Sequence, residues 1–145
     1  MRERRKAREI VLQATYAKEL SGDTITEIED KIINIADLPE ELKIFARHLF
    51  EQTMKNKEVL DEHIRIKSEN WEFSRIAILD RLILRIAICE FVYFEDIPAK
   101  VSISEAIEIA KKFSTKDSGA FVNGILDAIL QDQTKMNNKK IGQNK

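Results

Sequence analysis

Along most of this chain, apolar positions recur at steps of three and four, the spacing of one face of an α-helix. In residues 3–20 (ERRKAREIVLQATYAKEL) the recurring set is Ala7, Ile10, Val11, Ala14 and Ala17. Ser21, Gly22 and Asp23 end that run. Thr24 stands three before Glu27, the spacing of a capping box, and Ile25, Ile28 and Ile32 predict a short second helix to about Ala36. Asp37, Pro39 and Glu40 read as a further helix start. Leu42, Phe45, Leu49, Leu60 and Ile64 then predict a long third helix to about Lys67, with a gap in the pattern around Asn56. Ser102 and Glu105 have capping-box spacing ahead of Ile103, Ala106, Ile107, Ala110 and Phe113. Asp117 or Ser118 is placed to cap a last helix carrying Phe121, Val122, Ile125 and Ile129.

One stretch departs from the one-sided pattern. Ile76–Phe94 reads IAILDRLILRIAICEFVYF, and only Asp80, Arg81, Arg85 and Glu90 interrupt it. A helix apolar on nearly every side is a buried one. Its length approaches the roughly 20 residues of a membrane span, but four charges and the lack of a companion segment argue for a central helix that others surround. Ser74 is placed to cap it. Trp71, just before it, reads as a plug at a helix junction. Gly124, inside the last helix, predicts close approach of a neighbouring backbone, where a larger residue would overpack. The count is six to seven helices: an all-α bundle in two small helical subdomains, about 1–67 and 68–132, with a polar basic tail over 133–145 expected to be disordered.

Composition sharpens this without changing it. The chain has 145 residues, 43% hydrophobic and 34% charged, with only four Gly and two Pro, so long helices are favoured over sheets. The net charge of −1 conceals an uneven distribution. Residues 1–9 carry five bases against two acids, residues 19–62 twelve acids against five bases, and residues 133–145 four lysines and no acid. Cations at a helix N-terminus oppose its dipole, so an arginine cluster there calls for another reason, and an anionic ligand supplies one. No apolar segment follows the charged start, so a signal peptide is not expected and a cytoplasmic location is the simplest expectation.

Catalytic and metal chemistry find little support. There is no phosphate-binding glycine loop, no HExxH and no CxxC. His48 and His63 lack a completing ligand set. The single cysteine, Cys89, sits in the apolar stretch and reads as an inert buried thiol. Asp80 reads as a salt bridge or cap to a neighbouring helix. No cofactor or metal is expected. A basic helix start is instead suited to phosphate contacts, which position a nucleic acid without reading its sequence.

The residues RKAREIVLQATY (Arg5–Tyr16), DRLILRIAICE (Asp80–Glu90) and IPAKVSISEAIEIAKKFSTKDSGAFVNGILD (Ile97–Asp127) resemble the NusB transcription antitermination family, over about residues 3–130. The resemblance implies an all-helical, non-enzymatic RNA-binding factor. It implies pairing with a small ribosomal protein, NusE, recognition of single-stranded boxA RNA in ribosomal RNA leaders, and entry into an RNA polymerase complex that resists Rho-dependent termination. It also implies either a monomer or a homodimer able to hide the RNA surface, and no membrane association. Carried over by position, Arg4, Arg5, Lys6 and Arg8 match the basic RNA-binding arm, and Gln13 and Tyr16 belong to the same motif. Lys111 and Lys116 are placed for phosphates. Asp117, Phe121 and Asn123 match positions near the face shared by RNA and the ribosomal partner. Thr15, Cys89, Ser104 and Ala120 depart from the family pattern; the last removes a phosphate contact and throws more weight on the arm and Lys116. Two other readings stand beside this one: a helical protein-interaction module without RNA contact, and the RNA-binding domain of a ribosomal RNA methyltransferase.

Overall fold

The computed structural model describes the backbone of residues 2–143 except 69–71, and side chains over 4–68 and 72–133. The described residues form seven α-helices: α1 (Arg2–Leu20), α2 (Ile25–Ile28), α3 (Glu40–Lys55), α4 (Lys57–Lys67), α5 (Ile78–Tyr93), α6 (Ala99–Phe113) and α7 (Ser118–Gln143). A π-helical turn, Glu29–Ile33, extends α2, and a 3-10 turn, Phe73–Arg75, precedes α5. The all-α class is as the periodicity predicts. Trp71 lies outside the described residues.

Helix α5 is the hub. Every residue from Leu82 to Glu90 is buried, and α1, α3, α4, α6 and α7 all pack on it. Around it α1 pairs with α3, and α6 with α7. One continuous apolar core runs from Ala7 and Val11 on α1, through Leu49 and Phe50 on α3, to Leu126 and Ile129 on α7. The small residues Ala7 and Ala14 let α1 approach closely, and both are fully buried.

Local signals hold in part. Thr24 makes the capping box with Glu27: its hydroxyl accepts from Glu27 N–H at 3.2 Å, and Glu27 accepts from Thr24 N–H at 3.4 Å. The predicted third helix is two. It breaks at Asn56, whose backbone leaves the helical region (φ −108°, ψ 18°) and whose amide donates back to Gln52 C=O at 2.8 Å. That break coincides with the gap in the apolar pattern. Pro39, not Asp37, caps α3, and Pro98 begins α6, so Ser102 and Glu105 lie inside α6 rather than at its start. Ala77, not Ser74, precedes α5.

One expectation about α7 is corrected. Gly124 is exposed, and a Cβ built there would meet nothing within 4 Å, so no helix presses on it. The helical backbone of α7 runs on to Gln143. No proline interrupts that segment and its only glycine is Gly142, so no strong breaker stops propagation.

The π-helical turn buries a carboxyl. Glu29 is 7% exposed and its Oε2 has no hydrogen-bond partner. Burial, then the neighbouring Glu51 carboxyl, pushes Glu29 up to about 7, with Arg47 offsetting part of the shift. Between its unfolded and folded pKa the unfolded chain has lost this proton and the native state keeps it, so stability falls as pH rises. Glu29→Gln removes that slope. In urea unfolding, its stability advantage over the parent should grow from near zero at about pH 4 to on the order of 2 kcal/mol at about pH 8; equal pH dependence of the two proteins would refute the burial argument.

Candidate nucleic-acid interface

The basic start of α1 divides into residues that face inward and residues that face out. Arg8 lies on the buried side with Ala7, Val11 and Thr15, and is only 3% exposed. Its Nε donates to Glu90 Oε2 at 2.7 Å and its Nη2 to Glu90 Oε1 at 2.9 Å, a fork-to-fork ion pair with α5. Ser102 on α6 donates to the same Glu90 Oε1 at 2.7 Å. The expectation that Arg8 contacts RNA is therefore corrected: its guanidinium is spent on joining α1 to α5 and α6. Its Nη1 faces the interior without a hydrogen-bond partner. A small pocket of about 20 Å³ lies beside it, lined also by Leu12, Ile83, Ala87 and Ala106.

Arg4 is half-buried, with its guanidinium 4.5 Å from the centre of the Phe45 ring on α3, a cation–π contact. Arg5 turns the other way, and its Nε donates to Glu105 Oε2 of α6 at 2.5 Å. Lys6 is exposed and reaches the Asp37 carbonyl at 3.1 Å. Arg5, Glu9, Gln13 and Tyr16 follow one another at steps of four, four and three, which keeps them on one side of α1. Gln13 and Tyr16 are exposed. This is the open face of the helix.

Helix α6 borders that face. Lys112, which periodicity and motif do not single out, donates from Nζ to Glu9 at 2.9 Å, and Lys111 is exposed beside Glu108. Lys116 follows, exposed, in the connection to α7. Asp117 and Phe121 come together at an open cleft of about 270 Å³ whose other walls include Arg75, Asp80, Thr115 and Ser118. Asn123 is exposed on α7 and does not line that cleft. At the cleft floor Ser118 Oγ lies 3.1 Å from Asp80 Oδ2 and accepts from Thr115 N–H at 3.2 Å. Asp80 thus ties the start of α7 to α5 through the Ser118 hydroxyl, not through the expected salt bridge or cap, and its Oδ1 is buried without a partner among the described residues.

The remaining chemistry is inert. Burial pushes the Cys89 thiol up to about 11, with neighbouring Thr53 offsetting part of that, so the thiolate is scarce at neutral pH. His48 packs on the Phe94 ring at 4.8 Å. Among the described residues no group of three His, Cys, Asp or Glu could hold a metal ion, and no helix is long and apolar enough to cross a membrane.

Residues 5–131 match the model of the NusB family. The chain belongs to that family. NusB of Salinibacter ruber is 45% identical over 133 residues, covering 91% of this chain and 83% of that protein, which is named a transcription antitermination protein. The structure of T. maritima NusB superposes with a TM-score of 0.79 at 37% identity, covering 88% of this chain and 90% of that one. A crystal structure of the antitermination factors NusB and NusE in complex with double-stranded RNA has the same fold, at a TM-score of 0.79 and 23% identity, covering 91% of this chain and 98% of that one. Membership in the NusB family makes this chain a non-enzymatic antitermination factor.

The buried pair yields a direct test. Arg8→Ala leaves Glu90 charged and unpaired in the core and should cost about 3–5 kcal/mol in chemical denaturation. Arg8→Met with Glu90→Leu, which removes both charges, should recover most of that loss. A cost below about 1 kcal/mol for Arg8→Ala, the level of an exposed pair, would show that this ion pair is not structural.

Proposed function

We propose that this protein pairs with the ribosomal protein NusE, binds single-stranded boxA RNA of ribosomal RNA operons, and helps RNA polymerase resist Rho-dependent termination. The observation that carries this reading is the open face of α1, where Arg5, Lys6, Gln13 and Tyr16 stand outside a core that Arg8 closes. Arg5 and Lys6 supply charge for phosphates. Tyr16 is 37% exposed, available for a base to stack on, and the Gln13 amide can both donate to and accept from a base edge. Lys111 and Lys116 extend the positive edge toward the cleft at Asp117 and Phe121, and that cleft, with Asn123 on α7 nearby in sequence, is where we place the shared RNA and partner face. The family relation supports the assignment, as does the NusB and NusE complex with RNA on the same fold. The cytoplasm is where such a role is carried out.

Titration of labelled boxA RNA with this chain, with NusE and with both tests the proposal. The mixture should bind more tightly than either protein alone. Arg5→Ala with Lys6→Ala should weaken that binding and lower the slope of log affinity against log salt by about two, one for each phosphate no longer held. Binding by the mixture that is no tighter than binding by NusE alone, and that ignores the two substitutions, would overturn the reading. A helical interaction module without RNA contact would give that result. Mass in solution, measured alongside, reports whether a homodimer competes with RNA.

A further inference from the structure

The contact between Arg5 and Glu105 is built unlike a surface ion pair. The Glu105 side chain is 7% exposed whereas that of Arg5 is 38% exposed, so the carboxylate belongs to the interior and the guanidinium to the surface. Glu105 also sits on a rigid element. Ser102, one turn earlier on α6, is bonded to Glu90 in the core. A guanidinium carries five N–H donors in a fixed plane. Among the described residues Arg5 bonds through Nε alone, to a single carboxylate oxygen, Oε2. The two terminal nitrogens, the pair that grips a phosphate with two parallel hydrogen bonds, are left uncommitted. Lys6, by contrast, is a point charge on a flexible stem, and its amine rests on the exposed Asp37 carbonyl.

We propose that Glu105 is a positioning residue for RNA binding: from α6 it fixes Arg5 of α1 by Nε and presents the terminal nitrogens to a phosphate. This rests on the reading of Arg5 as an RNA contact. The carboxylate restricts the arginine rotamer before RNA arrives, so less freedom is lost on binding. It does so without occupying the donors that the phosphate needs. The same seam carries a second acid, Glu9, which holds Lys112 from α1, so α1 and α6 cross-brace each other through two ion pairs of opposite polarity.

Fluorescence anisotropy with labelled boxA RNA, in the presence of NusE, tests this with Arg5→Ala, Glu105→Ala, Glu105→Gln and the double variant Arg5→Ala with Glu105→Ala. Both Arg5→Ala, which removes the grip on a phosphate, and Glu105→Ala, which loosens it, should weaken binding by about fivefold to tenfold, the scale of one charge-assisted hydrogen bond. Glu105→Gln, whose amide oxygen still accepts from Nε, should stay within about twofold of the parent, a rescue that a purely charge-based role would not give. The double variant should bind no more weakly than Arg5→Ala, since the two residues act as one unit. If Glu105→Ala proves unfolded at the assay temperature, Glu105→Asp, one methylene shorter, carries the comparison and should also weaken binding. Tighter binding by both Glu105→Ala and Glu105→Gln would overturn the proposal, because the carboxylate would then be masking the arginine. Parent-like binding by Glu105→Ala, with weakened binding by Arg5→Ala, would overturn it while leaving the RNA reading intact. An Arg5→Ala variant that binds like the parent would overturn both.

Discussion

The structure depends on a buried ion pair made between residues 82 positions apart, Arg8 of α1 and Glu90 of α5. Two charges taken from water incur a large desolvation cost, and such a pair adds little net stability over apolar residues of the same shape. Its consequence is geometric. With both carboxylate oxygens of Glu90 engaged by Arg8, and Ser102 adding a third donor, α1 has one rotation and one height against α5 and α6 that satisfies the charges. A slip of α1 would strand a carboxylate in the core. That constraint decides which arginines face solvent.

The same device recurs along α5. Asp80, Arg85 and Glu90 stand five residues apart on a helix otherwise apolar over nearly its whole surface. Asp80 meets Ser118 at the start of α7. Arg85 takes Asp61 of α4 through Nε at 2.9 Å and Glu19 of α1 through Nη1 at 2.9 Å. Glu90 takes Arg8 and Ser102. Greasy surface alone would let neighbouring helices slide or rotate at little cost. Three buried polar links make the packing of α1, α4, α6 and α7 on the hub specific. The face proposed for RNA follows from that specificity: the first turns of α1 and the end of α6 are held together, and their cations line one edge of the molecule.

How far this was legible in the residues varies by the range of the interaction. Periodicity carried the existence of the helices and the centrality of α5, because burial of one face is written locally. The Thr24 capping box was equally local and formed as its spacing predicts. Ser102 and Glu105 have the same spacing as that box, yet they bond Glu90 and Arg5. Capping and tertiary pairing use the same side chains, and spacing alone does not separate them. Arg5 and Arg8 likewise look equivalent in a basic cluster. Three helical steps apart, they diverge in direction, and only the position of Glu90 reveals that Arg8 is interior. Gly124 invited a close-packing explanation that its open surroundings refute. The cleft joining Arg75 and Asp80 to Asp117 and Phe121 depends on how α7 returns along α5, which no single segment encodes.

The central claim is that Arg8 builds the platform and Arg5 uses it. Nitrogen-15 spectra of the arginine Nε–H groups, recorded as boxA RNA is added to the complex with NusE, test this most directly. The Arg8 signal should exchange slowly with solvent, as a buried hydrogen-bonded group does, and stay in place throughout the titration, while the Arg5 signal shifts. An Arg8 Nε–H that exchanges freely and moves with added RNA would contradict the account.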